Sequence, residues 1–114
     1  MSAKSYFTWA QTFFPWSRSL KFGAFNYATR EFGKCMDRDF SALGRLGPVD
    51  LALDIGANWG QSIEAFARCS RPKKIMAFEP NQELAGRLRR TYADAPSVEV
   101  AGYGLRASAG SMEL

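Results

Sequence analysis

The residues able to bind or react gather at two points of the sequence. One is Asp54-Ile55-Gly56-Ala57-Asn58-Trp59-Gly60, an acid followed by a glycine-punctuated turn, and the other is Glu79-Pro80. Glycines in such a turn let the backbone bend sharply and approach a ligand with no side chain in the way. Glu79 lies 19 residues beyond Gly60, near the ~20-residue interval at which an acid meets the hydroxyls of a ribose. The pair therefore describes a nucleoside-binding edge. The glycine spacing, however, is G-x-x-x-G, with Asn58 and Gln61 where a dinucleotide turn of the form G-x-G-x-x-G has its second and third glycines. No Lys-Ser or Lys-Thr follows, which excludes a Walker-type phosphate loop.

Charge narrows the ligand further. Asp54 sets a negative charge just before the turn, which repels a pyrophosphate and attracts a cation. A ligand with a ribose, an ammonium, a sulfonium and no phosphate suits this edge, which favours S-adenosylmethionine over NAD. Its carboxylate would meet the N–H groups that open the next helix. Two plainer roles stand beside this one: Asp54 as a helix cap, and Glu79 as a solvated acid at a strand end.

These residues need elements that bring them to one edge. Leu51 to Ile55 is a short apolar run with one acid, expected as a strand buried on both faces. Ser62 to Cys69 carries Ile63, Phe66 and Ala67 at helical spacing and is closed by Pro72. Ile75 to Phe78 predicts a second buried strand. A helix follows with Asn81 as its cap, Glu83 in its first turn, Leu84, Leu88 and Tyr92 on one face, and Arg89 and Arg90 near its end. Pro96 bars continuation. Val98 to Tyr103 predicts a third strand, and Ser111 to Leu114 the start of a fourth. Strand, helix, strand, helix, strand with short connections is the start of a parallel doubly wound α/β sheet, which binds ligands outside the carboxyl ends of its strands.

The preceding region has a different texture. Residues 1–47 hold most of the aromatic residues and predict helices and turns, whereas 48–114 carry the strand–helix alternation. Tyr6, Trp9, Ala10 and Phe13 form a helical stripe that ends at Pro15. A second helix is expected over Leu20 to Phe32, with Ala24, Tyr27 and Ala28 on its packing face. A third turn, Phe40 to Leu46, stops at Gly47-Pro48. The aromatic stripe is expected to cover the core, the competing use being contact with a membrane or partner.

Composition sets the outer bounds. The chain has 114 residues, 46% of them hydrophobic and 23% charged, the balance of a single globular domain. It contains no histidine, which removes the commonest general base and metal ligand, and no metal site is expected. Cys35 and Cys69 lack metal-ligand spacing and are expected as buried or half-buried thiols. The net charge of +4 comes largely from Lys73, Lys74, Arg87, Arg89 and Arg90, expected as solvated surface with no nucleic-acid partner. No apolar run reaches the roughly 18 residues of a membrane span. Gln11, Thr12 and Pro15 interrupt the N-terminal apolar stretch and no cleavage site follows, so a cytoplasmic chain is expected.

Leu53 to Gln61, followed by Ala77-Phe78-Glu79-Pro80-Asn81, resembles the paired signature of the FkbM-type methyltransferases. The Ala-Asn inside the turn and the Phe-Glu-Pro-Asn after the second strand are its more specific parts. The resemblance spans roughly Val49 to Leu114 and implies a class I methyltransferase (Rossmann-like) fold with S-adenosylmethionine as cofactor. It also implies methylation of a hydroxyl on a sugar or natural product, hence a small-molecule or glycan acceptor. By position, Asp54, Gly56, Ala57, Asn58 and Gly60 would shape the methionine end of the site and Glu79 would hold the ribose. Arg106-Ala107 stands where the family often has a Ser-Asp pair near the adenine. A complete sheet of this class needs about 200 residues, so the chain is expected to be the front part of such a domain, inactive alone. Its catalytic base is unassigned, and self-association through an unpaired sheet edge is expected. A nicotinamide-dependent oxidoreductase fragment and a non-enzymatic interaction fragment are the alternatives.

Overall fold

The computed structural model describes residues 16–34 and 38–111. The Tyr6–Phe13 stripe, Cys35 and all of the expected fourth strand but Ser111 lie outside the described residues, and Ser111 is in no strand. Helix α1 spans Trp16–Phe32. It stops where Gly33 adopts φ +66° and donates its N–H to the Thr29 carbonyl at 2.9 Å, a left-handed cap that glycine enters without strain. Helix α2 (Arg38–Ala42) continues as a 3-10 turn, Leu43–Arg45, ahead of Gly47-Pro48. Then come β1 (Leu51–Ile55), α3 (Gln61–Ala65), β2 (Lys74–Phe78), α4 (Gln82–Thr91) and β3 (Val98–Ala101). Asn81 caps α4 as expected, its side-chain oxygen accepting from the Glu83 and Leu84 N–H groups at 3.0 and 3.1 Å. Helix α3 runs directly into a π-helical turn, Phe66–Ser70, which holds the half-buried Cys69. The wider winding is closed by Arg71, whose N–H reaches the Phe66 carbonyl five residues back at 2.9 Å.

The strands form one parallel sheet in the order β1-β2-β3, with Asp54 beside Ala77 and Ile75 beside Val98. This is the parallel α/β start that the alternation of elements predicted. Ala52, Ala57, Ile63, Ile75, Ala77 and Leu88 make the core, with Phe66, Tyr92, Val98 and Val100 packed against it. Ile63 of α3 and Leu88 of α4 thus meet the same face of the sheet. Two crossovers stepping the same way across a parallel sheet put both connecting helices on one side.

Three expectations need correction. β1 is not buried on both faces: Ala52 and Asp54 are buried, but Leu51, Leu53 and Ile55 are 47%, 51% and 66% exposed. The second face has no covering helix among the described residues, so the doubly wound arrangement is not seen there. β3 ends at Ala101, short of Tyr103, because the chain bends at Gly102, whose carbonyl accepts from Gln82 Nε2 at 2.6 Å. Tyr103 instead tilts against Phe78, ring centroids 5.8 Å apart.

The third correction concerns α1. Its expected packing face fails, since Ala24 is exposed and Tyr27 is 60% exposed. Phe22, Asn26 and Thr29 turn inward instead. Leu20, Phe25 and Phe32 are exposed as well. The helix is held by an aromatic contact and a hydrogen bond to the turn and by an ion pair with α3, so apolar periodicity misjudged its orientation. Among the described residues no helix is long and apolar enough to cross a membrane.

Candidate functional site

The glycine turn joins β1 to α3 and needs three left-handed residues, Gly56 at φ +83°, Asn58 at +51° and Gly60 at +89°. Asparagine tolerates this region better than most side chains. Every backbone amide from Gly56 to Gly60 is committed within the protein. Gly56 and Ala57 both donate to the Phe78 carbonyl, at 2.9 and 3.1 Å, and Gly60 donates to Ala57 at 2.8 Å. Asn58 N–H donates to Glu79 Oε2 at 2.8 Å and Trp59 N–H to Gln61 Oε1 at 3.2 Å. A phosphate-binding turn works by presenting unspent amides, and this one has none to present.

Glu79 is buried at the tip of β2, where it ties two loops together. Oε2 takes the Asn58 amide and Oε1 the Asn81 amide, each at 2.8 Å. Each oxygen keeps a second lone-pair direction, so backbone anchoring and acceptance from a further hydroxyl are compatible.

Asp54, at the end of β1, is 6% exposed. Its carboxylate is hydrogen-bonded by Ser62, while Oδ2 is buried with no hydrogen-bond partner among the described residues. Burial pushes its carboxyl above the usual carboxylate range, and the charge of Glu79 pushes the same way against the Ser62 bond. Two buried carboxylates thus face one turn with an acceptor atom unspent, and such a group calls for a cationic donor.

The six sequence-derived site residues come together at the ends of β1 and β2, but they do different work. Space is open beyond Gly56, where an added Cβ would meet nothing within 4 Å, and Asn58 is exposed. Ala57 belongs to the core, so only its backbone borders the turn. Gly60 is a packing glycine: a Cβ there would lie 3.0 Å from the Tyr92 hydroxyl and 3.1 Å from Leu88. Beyond the ends of β2 and β3 opens a cavity of about 490 Å³, lined by residues including Pro80, Gln82, Tyr103, Leu105 and Arg106. Among the described residues no group of three or more His, Cys, Asp or Glu could hold a metal ion.

Sequence reasoning missed the scaffold behind the turn. Trp59 stacks on Phe22 of α1, centroids 5.5 Å apart and planes 16° from parallel, with the Arg87 guanidinium 4.6 Å over its ring. Asn26 Nδ2 donates to the Trp59 carbonyl at 2.9 Å. One turn further along α1, Arg30 grips the buried Glu64 of α3 with two nitrogens, and the Tyr92 hydroxyl donates to the same carboxylate at 2.8 Å. Glu64 raises the Arg30 guanidinium. Burial, with the nearby Glu64 charge, pushes the Tyr92 phenol well up. The available signal was Glu64 between Ile63 and Ala65, an acid on an apolar helix face that needs a cation. Arg87, expected as solvated surface, is half-buried over Trp59.

No family model matches the chain, and no curated protein or solved structure matches it either.

Proposed function

We propose that this chain binds S-adenosylmethionine at the ends of β1 and β2, as the cofactor-binding part of an FkbM-type methyltransferase acting on a small-molecule or glycan hydroxyl. The observation that carries this reading is Asp54 Oδ2, a buried carboxylate oxygen with no hydrogen-bond partner among the described residues, beside a turn whose amides are all spent. That combination suits a cationic, phosphate-free nucleoside and disfavours the pyrophosphate of a nicotinamide cofactor. Asp54 would hold the ammonium. Glu79, already fixed by two backbone amides, would accept from the ribose hydroxyls. Gly56 would leave room for the ligand to pass the backbone, and Ala57, Asn58 and Gly60 would keep the turn in shape. The cofactor supplies a methyl carbon activated by its sulfonium, so the protein's task is to bind and align. No residue is assigned to removing the acceptor's proton.

Calorimetry on the 114-residue chain tests the reading. S-adenosylmethionine should bind more tightly than NAD, and Glu79→Ala should weaken it by about 1.5–3 kcal/mol, the range for hydrogen bonds to a charged group. Unchanged affinity in the variant, or tighter binding of NAD, refutes the assignment.

The partner reading is narrower. β1 ends the sheet order, and its outer edge would pair with a second copy. Antiparallel pairing about Leu53 sets Leu53 against its copy and Leu51 against Ile55, joining the two exposed apolar stripes.

A further inference from the structure

We infer that helix α1, which contributes nothing to the sheet, is a positioning element for the glycine turn and acts through Trp59. The inference rests on the reading of that turn as a ligand site. Trp59 stands between Asn58 and Gly60, and three residues contact it. Phe22 lies parallel to its ring at 5.5 Å, Arg87 of α4 covers it at 4.6 Å, and Asn26 Nδ2 holds its carbonyl at 2.9 Å. The first two contacts fix the indole, and the third fixes the peptide plane between Trp59 and Gly60.

That peptide plane decides the shape of the turn. The Gly60 N–H on it donates to Ala57 at 2.8 Å, and Gly60 sits at φ +89° with no room for a Cβ beside Tyr92 and Leu88. Rotation of the plane would break the Ala57 bond and drag Asn58, whose amide anchors Glu79 at 2.8 Å. Phe22 and Asn26 are therefore linked to the Glu79 carboxylate through two peptide units, without touching any ligand. The Arg30–Glu64 pair docks the same helix face one turn on, so α1 presents both residues at a fixed height. A site whose shape is set before the ligand arrives loses less freedom on binding.

The experiment uses the full chain with Trp9→Phe and Trp16→Phe, leaving Trp59 as the sole indole. Phe22→Leu and Asn26→Leu should each shift Trp59 emission to the red and weaken S-adenosylmethionine roughly 5–10-fold, the scale of one lost hydrogen bond or stacked pair. Phe22→Tyr, which keeps the stack, should restore both properties. Leu20→Ser, on the exposed face of α1, should change neither. Unchanged Trp59 emission in both Leu variants overturns the positioning role. So does a shifted emission with unaltered affinity, or failure of Phe22→Tyr to restore binding. If the parent binds no S-adenosylmethionine, the ligand reading fails, and Trp59 emission alone then decides whether α1 holds the turn.

Discussion

The two faces of the sheet are built from the same strands and have opposite fates. On one, Ala52, Ile75 and Ala77 lie under Ile63 and Leu88. On the other, Leu51, Leu53 and Ile55 stand in solvent although they are larger and more apolar than the alanines opposite them. Small residues on the covered face let α3 and α4 approach closely, while large ones on the open face supply contact area that no described element uses. Apolar character alone therefore does not decide burial. A face is buried where the crossovers place a helix, and both crossovers here place it on the same side. The open stripe is the kind of surface that marks an interaction site.

The sharpest way to break this comparison is to put the same charge on both faces. Ala77→Asp should abolish cooperative unfolding, because a carboxylate at a fully buried position without a partner costs more than about 4 kcal/mol. Leu53→Asp should leave the fold intact within about 1 kcal/mol and shift sedimentation toward monomer. Equal losses in denaturant titrations of the two variants would mean that the faces are not different.

A smaller effect is expected behind the turn. Among the described residues, Arg30→Met leaves the buried Glu64 carboxylate with Tyr92 as its remaining side-chain donor. Loss of a hydrogen bond to a charged group gives about 1.5–3 kcal/mol, and half exposure of Arg30 puts the expected value at the low end. Urea unfolding of parent and variant measures it, and no change would detach α1 from the stability of the covered face.

The two glycines of the turn should differ in the same sense. Gly56→Ala meets only the backbone penalty of a left-handed residue, about 1–2 kcal/mol, since space beyond it is open. Gly60→Ala adds crowding by Tyr92 and Leu88 at 3.0–3.1 Å and should melt lower. The reverse order would show that Gly56, not Gly60, is the packed one.

The smallest effect is a pH dependence. Burial raises the Asp54 carboxyl in the folded chain, so the folded state takes up this proton more readily than the unfolded one. The cost of keeping this group charged in the fold is therefore absent below the ordinary carboxylate range, grows as pH rises from there through the raised folded value, and is constant above it. Asp54→Asn should melt higher than the parent at pH 7, with the difference closing toward pH 4. A melting difference that does not vary with pH would mean that Asp54 is solvated like an ordinary surface acid.

What was legible from sequence followed short-range rules. β1 over Leu51–Ile55, the Asn81 cap and the meeting of Asp54, Gly56 and Glu79 at one edge all follow from period, capping chemistry and the order of strands and helices. Left-handed backbone at Gly56 and Gly60 was implied by the residue type, because glycine alone enters it at little cost. What only the tertiary structure decided depends on residues distant in the chain. The exposure of Leu51, Leu53 and Ile55, the docking face of α1, the commitment of the turn's amides to Phe78 and Glu79, and the contacts of Trp59 with Phe22 and Arg87 are of this kind. A strand's alternation reveals that it has two faces, but which face meets a helix is set by how the crossovers wind. A buried acid such as Glu64 announces that it needs a cation, but only the folded chain brings Arg30 across 34 residues to supply it.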